Sequence, residues 1–112
     1  MELVSLIKSK LSKKILRIIK KRDIIKKIAI HGGEGFNQHH VEKAAKENID
    51  AYLAGDLAHH LAESAYFYDI TFIDIEHTSE QIGMKEICKK LQSKFPKCTF
   101  NYIINKPYWE LQ

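Results

Sequence analysis

The feature that most constrains the fold is a repeated alternation of short apolar runs and amphipathic stretches. The apolar runs span residues 28–30, 51–54 and 70–75, and the stretches that follow them span residues 38–47, 57–66 and 79–94. Runs of this length predict buried strands, and apolar spacings of three and four predict helices. Strands that alternate with helices in this way predict an α/β fold with a parallel or mixed sheet.

The amino-terminal segment permits two interpretations. Apolar residues at spacings of three and four favour one helix over residues 2–20, and they are Leu3, Leu6, Ile7, Leu11, Ile15 and Ile18. Alternatively, the helix ends near Ser12, residues 15–19 form a β-branched strand, and residues 21–23 turn the chain into a strand over residues 24–31. The residue pattern alone does not choose between them.

At the carboxyl-terminal end, Phe95 and Pro96 interrupt the last helix, residues 99–104 predict a final strand, and residues 105–112 form a tail. A chain of 112 residues is long enough for one hydrophobic core. We therefore expect a single α/β domain over residues 1–112, with a mixed, mostly parallel sheet of about five strands flanked by helices.

The charge is unevenly distributed along the chain. The net charge is +4, but residues 1–30 carry ten basic and two acidic side chains, while residues 31–112 carry eight basic and twelve acidic ones. A basic segment of this kind permits contact with nucleic acid, although a solvated basic face is the simpler expectation. The segment contains no aromatic residue, so nothing in it supports base stacking.

The two cysteines and the hydropathy pattern bear on cellular location. Cys88 and Cys98 have neither the spacing of a zinc-binding pair nor that of a disulfide framework, so we expect reduced thiols. Lysines interrupt the apolar residues of the amino-terminal segment, and there is no transmembrane run. We expect a cytoplasmic protein with no membrane partner.

Three predicted strands are followed by side chains of the types that serve as metal ligands. Because the carboxyl ends of parallel strands meet at one edge of a sheet, His31, Asp56 and His77 converge there, together with Glu80. Imidazole and carboxylate ligands suit zinc, iron, manganese or nickel. The sequence therefore predicts a divalent metal site at this edge.

Each of these residues also has a purely structural interpretation. Glu80 favours a helix dipole if Thr78 or Ser79 is the N-cap, and Asp56 is well placed to cap its own helix. Adjacent helical residues point about 100° apart, so only one of His59 and His60 faces the sheet edge.

The glycine-rich segment after the first parallel strand contains Gly32, Gly33 and Gly35. Such a loop brings backbone amides close to a phosphate at a helix N-terminus, and a tight turn explains it equally well. His39 and His40 follow it in the first turn of a helix, where we expect them to be solvated. No serine or cysteine lies in a nucleophile elbow, so the catalytic residues are unknown.

Three ordered motifs, at residues 28–35, 50–60 and 73–80, resemble the carboxyl-terminal half of the NGG-interacting-factor-three-like family, also called GTP cyclohydrolase type 2-like. The resemblance covers nearly the whole chain. It implies an α/β fold with a mixed sheet, a toroidal oligomer and a dinuclear metal site at the strand ends. For the amino-terminal segment it implies helix, strand, strand.

Carried over by the resemblance, His77 and Glu80 correspond to the family's late His and Glu metal ligands. Asp56, His59 and His60 correspond to its Gly-Asp-x-x-His-His segment near the site. The late Glu of the family usually follows its His by four residues, whereas Glu80 follows His77 by three. His31 stands where the family more often has Cys or Thr, and would be a substitute ligand.

The remaining ligands of the family's metal site belong to its amino-terminal half, which these 112 residues do not match. Two functions follow from the resemblance. One is a metal-dependent hydrolase of nucleotide-like substrates. The other is a non-catalytic half-domain that forms a homo-oligomer, or completes a site with a partner chain that supplies the missing half.

Overall fold

The computed structural model of the chain describes residues 2–106 and 108. The chain divides into two compact units, Met1–His77 and Thr78–Gln112, and each is described by itself. The single-domain organisation expected from the length stays a prediction.

The first unit contains three helices and four strands. In chain order they are α1 (Glu2–Leu11), β1 (Arg17–Ile19), β2 (Ile28–Ile30), α2 (Gln38–Lys46), β3 (Ala51–Ala54), α3 (His59–Tyr68) and β4 (Thr71–Asp74). The order helix, strand, strand is confirmed for the amino-terminal segment, and one helix over residues 2–20 is wrong. Ser12 adopts a left-handed φ of 52°, which ends α1 before the strand begins.

The four strands form one mixed sheet in the order β1-β4-β3-β2. β2, β3 and β4 are parallel, and β1 pairs with β4 in the antiparallel direction. The α/β class and the mixed sheet are therefore confirmed. The strand expected over residues 24–31 is shorter, Ile28–Ile30, and it lies at the opposite edge of the sheet from β1.

The connection between β1 and β2 crosses the amino ends of the two central strands. The Thr71 hydroxyl accepts hydrogen bonds from the backbone N–H groups of Lys21 and Arg22, at 3.0 and 2.9 Å. The Asp50 carboxylate accepts from those of Lys26 and Lys27, at 2.9 and 2.8 Å. These bonds satisfy the backbone of a crossing segment that has no strand partner of its own.

Apolar side chains pack on both faces of the sheet. On one face, α2 and α3 contribute Val41 and Leu61 to a cluster that contains Tyr52 and Phe72. On the other face, Ile7 of α1 packs with side chains of the central strands, including Leu53 and Ile73. Because β3 and β4 are covered on both faces, all of their residues are buried.

The second unit contains α4 (Gln81–Lys94), which follows a short 3-10 helix, His77–Glu80. The expected strand over residues 99–104 is wrong, since these residues form no strand. Side chains of α4 bond this segment and the residue after it: Gln92 accepts from Phe100 N–H at 3.2 Å, and Gln81 accepts from Asn105 N–H. In the described part of the chain, no helix is long and apolar enough to cross a membrane.

Candidate functional site

The structure brings together two of the predicted site residues at the carboxyl ends of β3 and β4. Asp56 lies just beyond β3 and His77 just beyond β4. The His77 Nδ1 and Asp56 Oδ2 atoms are 2.6 Å apart, and both side chains are exposed. The predicted convergence of strand ends therefore holds for this pair.

The backbone around this pair adopts conformations that few residues favour. Asp56 and Glu76 are left-handed, with φ angles of 62° and 65°. Gly55 is buried between them: a Cβ added there would lie 3.1 Å from both the Glu76 carbonyl carbon and the His77 nitrogen. The absence of a side chain at Gly55 lets the two loops approach closely enough for the pair to form.

A buried carboxylate ties the two loops together. Asp74, the last residue of β4, is only 2% exposed. Its carboxylate accepts from Leu57 N–H at 3.2 Å and from Glu76 N–H at 2.9 Å, and forms an ion pair with Arg17. The Arg17 guanidinium also donates to the Leu57 carbonyl at 3.1 Å. Asp74 thus bonds Leu57, which follows Asp56, and Glu76, which precedes His77.

Asp74 was absent from the residues that the sequence singled out. The available signal was a single acidic residue inside the apolar run at residues 70–75. A carboxylate at such a position is buried only when it is paired and hydrogen-bonded.

The pair has the chemistry of a metal-binding histidine and its supporting carboxylate. A carboxylate only accepts hydrogen bonds, so the contact requires the proton on Nδ1 and leaves the lone pair of the ring on Nε2. Metal-binding histidines commonly donate their other ring N–H to a carboxylate, which fixes the tautomer and the ring orientation. The donor types suit zinc, iron, manganese or nickel. Within residues 2–106 and 108, however, no group of three His, Cys, Asp or Glu side chains is positioned to hold a metal ion.

The structural interpretations of Asp56 and of the N-cap before α4 are wrong. The N-cap of α3 is Ala58, with no side-chain cap bond, because the Asp56 carboxylate contacts His77 instead. The N-cap of α4 is Glu80 rather than Thr78 or Ser79, because the 3-10 helix occupies those positions.

The structure places the other predicted ligands in the 3-10 helix, in α3 and after β2. Glu80 belongs to the second compact unit and is exposed. His59 and His60 form the first turn of α3, and both side chains are exposed. His31 follows β2, where its backbone N–H donates to Leu53 O at 3.0 Å. Their roles as ligands stay predictions.

The glycine-rich segment forms a tight turn between β2 and α2. Gly33 has a φ of 71°, and Gly35 is so closely packed that an added Cβ would lie 2.5 Å from the Ala54 Cβ. The Gly35 and Asn37 amides donate to carbonyls within the turn. The Asn37 side chain accepts from His40 N–H at 3.0 Å and caps α2. These contacts account for the glycines as a turn, and phosphate binding at Gly32, Gly33 and Gly35 stays a prediction.

The expectation that His40 is simply solvated is wrong. The ring is half-buried, and its centroid lies 4.2 Å from that of His31, with the two planes inclined by 31°. Its Nδ1 lies 2.9 Å from the Asn37 side-chain nitrogen. His39, the neighbouring residue, is exposed as expected.

The protein is therefore an α/β protein with a histidine–carboxylate pair at the ends of adjacent parallel strands. Comparison with known sequences identifies its family. Residues 1–107 match the profile of the family described as Duf34/NIF3 (NGG1p interacting factor 3). The chain belongs to this family.

Curated relatives and solved structures agree with this assignment. A "GTP cyclohydrolase 1 type 2 homolog" of Staphylococcus aureus is 38% identical over 86 residues, which cover 76% of this chain and 23% of the relative. A homolog of the same name in Staphylococcus epidermidis is 36% identical over 74 residues, covering 63% of this chain and 20% of the relative. The chain therefore spans about a fifth of the length of these relatives.

Among solved structures, Staphylococcus aureus protein SA1388 superposes with a TM-score of 0.80 at 27% identity, covering 98% of this chain and 38% of that one. Reduced HcgD from Methanocaldococcus jannaschii superposes with a TM-score of 0.70 at 29% identity, covering 83% of this chain and 38% of that one.

Proposed function

We propose that this chain contributes part of a divalent metal site, with His77 Nε2 as one ligand and Asp56 as the carboxylate that orients the ring. The observation that carries the proposal is the 2.6 Å contact between His77 Nδ1 and Asp56 Oδ2. Supporting it, the Asp74 carboxylate bonds the loops on which both residues lie, so that the pair has a rigid base. Glu80 is the proposed second ligand, by its correspondence to the family's late Glu.

The proposed site requires ligands beyond these residues. One imidazole and one carboxylate are fewer than the three or four protein ligands that zinc sites use. We propose that the remaining ligands come from another polypeptide segment, a second copy or a partner chain. Completion across an interface is compatible with the open position of the pair, because both side chains are exposed.

Hydrolysis of a nucleotide-like substrate is the second candidate function. It is supported by the name "GTP cyclohydrolase 1 type 2 homolog" carried by relatives that are 36% to 38% identical to this chain. A divalent metal, when bound, would polarise a water molecule for attack on the substrate. In this chain, His77 would hold the metal and Asp56 would keep its ring oriented.

Metal titration of the untagged chain tests the proposal. Zinc, iron(II), manganese and nickel are titrated separately, and binding is followed by calorimetry. We expect saturable binding of at least one metal, weakened about tenfold or more by His77→Ala and about tenfold by Asp56→Ala, as measured for ligands and their supporting carboxylates. His39→Ala is the matched control, since it also removes an exposed imidazole from the first turn of a helix, and His39 is not among the predicted ligands.

Equal metal affinity of the wild type and the His77→Ala variant would contradict the proposal. Sedimentation with and without the bound metal then tests completion by a second copy. A monomer at every concentration in both conditions would exclude that source of ligands. Release of a ring-opened product from GTP by the metal-loaded chain, lost in His77→Ala, would support the hydrolase.

A further inference from the structure

A separate pocket lies between α2 and the strands β2 and β3. It has a volume of about 320 Å³, and its polar lining consists of His31, His40, Lys43, Glu47 and Tyr52. Neither Asp56 nor His77 lines it. Small-molecule sites have volumes of roughly 300–1,000 Å³, so a ligand of this pocket would be small.

The hydrogen bonds of Asn37 fix the tautomer of His40. The Asn37 Oδ1 atom accepts from the backbone N–H of His40 at 3.0 Å. This bond identifies the other terminal atom of the Asn37 side chain as the amide nitrogen. That nitrogen also donates to Glu34 O at 2.9 Å, and it lies 2.9 Å from His40 Nδ1. Because an amide NH₂ only donates, Nδ1 accepts and the ring proton lies on Nε2.

The packing of His31 leads to the same tautomer. Its Nδ1 atom is buried and has no hydrogen-bond partner in the described part of the chain. It faces Gly35, since a Cβ added there would lie 3.2 Å from it. Nδ1 has no partner in either tautomer, but a buried N–H without an acceptor is rarer than a buried acceptor without a donor, so we place the proton on Nε2. Both imidazoles that line the pocket therefore offer an Nε2–H donor.

The charges around the pocket favour an anion. Lys43 is exposed and, among residues 2–106 and 108, is in no salt bridge. Glu47, the one acidic residue in the lining, pairs with Lys27 at 3.7 Å, and Lys27 Nζ also donates to the Glu47 carbonyl. One ammonium and two imidazole N–H groups thus remain for a ligand.

The rest of the lining is apolar. Ala29, Ile30, Ala44 and Ile49 contribute hydrocarbon. The Tyr52 hydroxyl is already bonded to Gly35 O at 2.7 Å. Burial raises the pKa of Tyr52, so its phenol stays neutral at physiological pH. An inorganic anion would leave these walls without a partner, whereas a planar ring would contact them.

We propose that this pocket binds a small aromatic carboxylate, with the carboxylate at Lys43 and the Nε2–H groups of His31 and His40, and the ring against the apolar wall. His77, Asp56 and Glu80, which make up the proposed metal site, do not line this pocket, so the two proposals are tested independently.

Titration of the full 112-residue chain, followed by the NMR signals of the imidazoles, tests the inference. The probes are benzoate, the neutral benzamide and inorganic phosphate. We expect saturable shifts of His31 and His40 with benzoate, and binding about tenfold weaker for benzamide, which lacks the charge. Lys43→Gln should weaken benzoate about tenfold, and Lys46→Gln should leave it unchanged.

Lys46 is the matched control because it is also exposed in α2 but does not line the pocket. The inference is overturned if benzoate produces no saturable shift, or if benzamide binds as tightly as benzoate. Equal weakening by both lysine variants would show non-specific attraction and would also overturn it. Tighter binding of phosphate than of benzoate would exclude the aromatic ligand.

Discussion

His31 and His77 both follow parallel strands, His31 directly after β2 and His77 three residues after the end of β4, and they are held in different ways. His77, beyond β4, is held by polar contacts: its Nδ1 bonds Asp56, and the buried Asp74 bonds the loops beneath the pair. His31, at the end of β2, is held by packing between Gly35 and the ring of His40. A histidine after a strand is thus oriented by a carboxylate in one place and packed beside a pocket in the other.

Substitutions at the two strand ends should therefore lower the free energy of unfolding for different physical reasons. The end of β4, which we call the polar end, depends on the Asp74 carboxylate as an acceptor for backbone amides, so it is sensitive to loss of that carboxylate. The end of β2, which we call the packed end, depends on the close contact between His31 and Gly35, so it is sensitive to added side-chain volume.

The largest effect is expected for Asp74→Ala. The change leaves the Leu57 and Glu76 amides without an acceptor and removes the ion-pair partner of Arg17. Because the Arg17 side chain is 67% exposed, most of the loss comes from the two amides. We expect the free energy of unfolding to fall by about 3 kcal/mol in urea titrations. Glu63→Ala, at an exposed position of α3, is the control, and a loss for Asp74→Ala no larger than for this control would contradict the role of Asp74.

An intermediate effect is expected for Gly35→Ala at the packed end. The new methyl group would lie 2.5 Å from the Ala54 Cβ and 3.1 Å from the His31 Cβ, so neighbouring residues must shift. We expect the free energy of unfolding to fall by about 2 kcal/mol. Gly32→Ala is the matched control, since nothing lies within 4 Å of its added Cβ and its φ is not in the left-handed region. Equal stability of the two variants would refute the packing account.

The smallest effect is expected at the amino ends of the strands, where Asp50 provides a second polar contact for comparison. Its carboxylate accepts from the backbone amides of Lys26 and Lys27, and Arg22 lies beside it, so its pKa is lowered. A lowered folded-state pKa stabilises the protein above the unfolded value of about 3.9, and this contribution disappears as the pH falls through the folded value.

The Tm of the wild type should therefore fall further between about pH 6 and pH 3 than that of Asp50→Asn. Glu63→Gln, which removes an exposed carboxylate elsewhere, should follow the wild type. Parallel pH curves for the wild type and Asp50→Asn would show that Asp50 contributes nothing to acid stability.

Local sequence patterns predicted much of the fold. The alternation of apolar runs and amphipathic stretches located the three parallel strands and the helices that follow them. The position of β1 was not predictable in this way, because pairing with β4 is a contact between residues far apart in sequence. The absence of a strand at residues 99–104 has the same origin, since side chains of α4 bond this backbone.

The sequence predicted that Asp56 and His77 converge at one sheet edge, but not that their side chains contact each other. Asp56 and His77 were identified from their positions after strands, yet local reasoning assigned Asp56 to a helix cap. The competing bond to His77 spans 21 residues and is visible only in three dimensions. Asp74 was missed because a single acidic residue in an apolar run has no local signature of its partners.

In the proposed metal site, Asp56 sets the tautomer of His77 so that the Nε2 lone pair is available to a metal. Long-range ¹H–¹⁵N NMR of the imidazole tests this directly. We predict that the His77 proton lies on Nδ1 in the metal-free wild type, that this preference is lost in Asp56→Ala, and that added zinc shifts the Nε2 signal. A proton on Nε2 in the wild type, unchanged by Asp56→Ala, would contradict the claim.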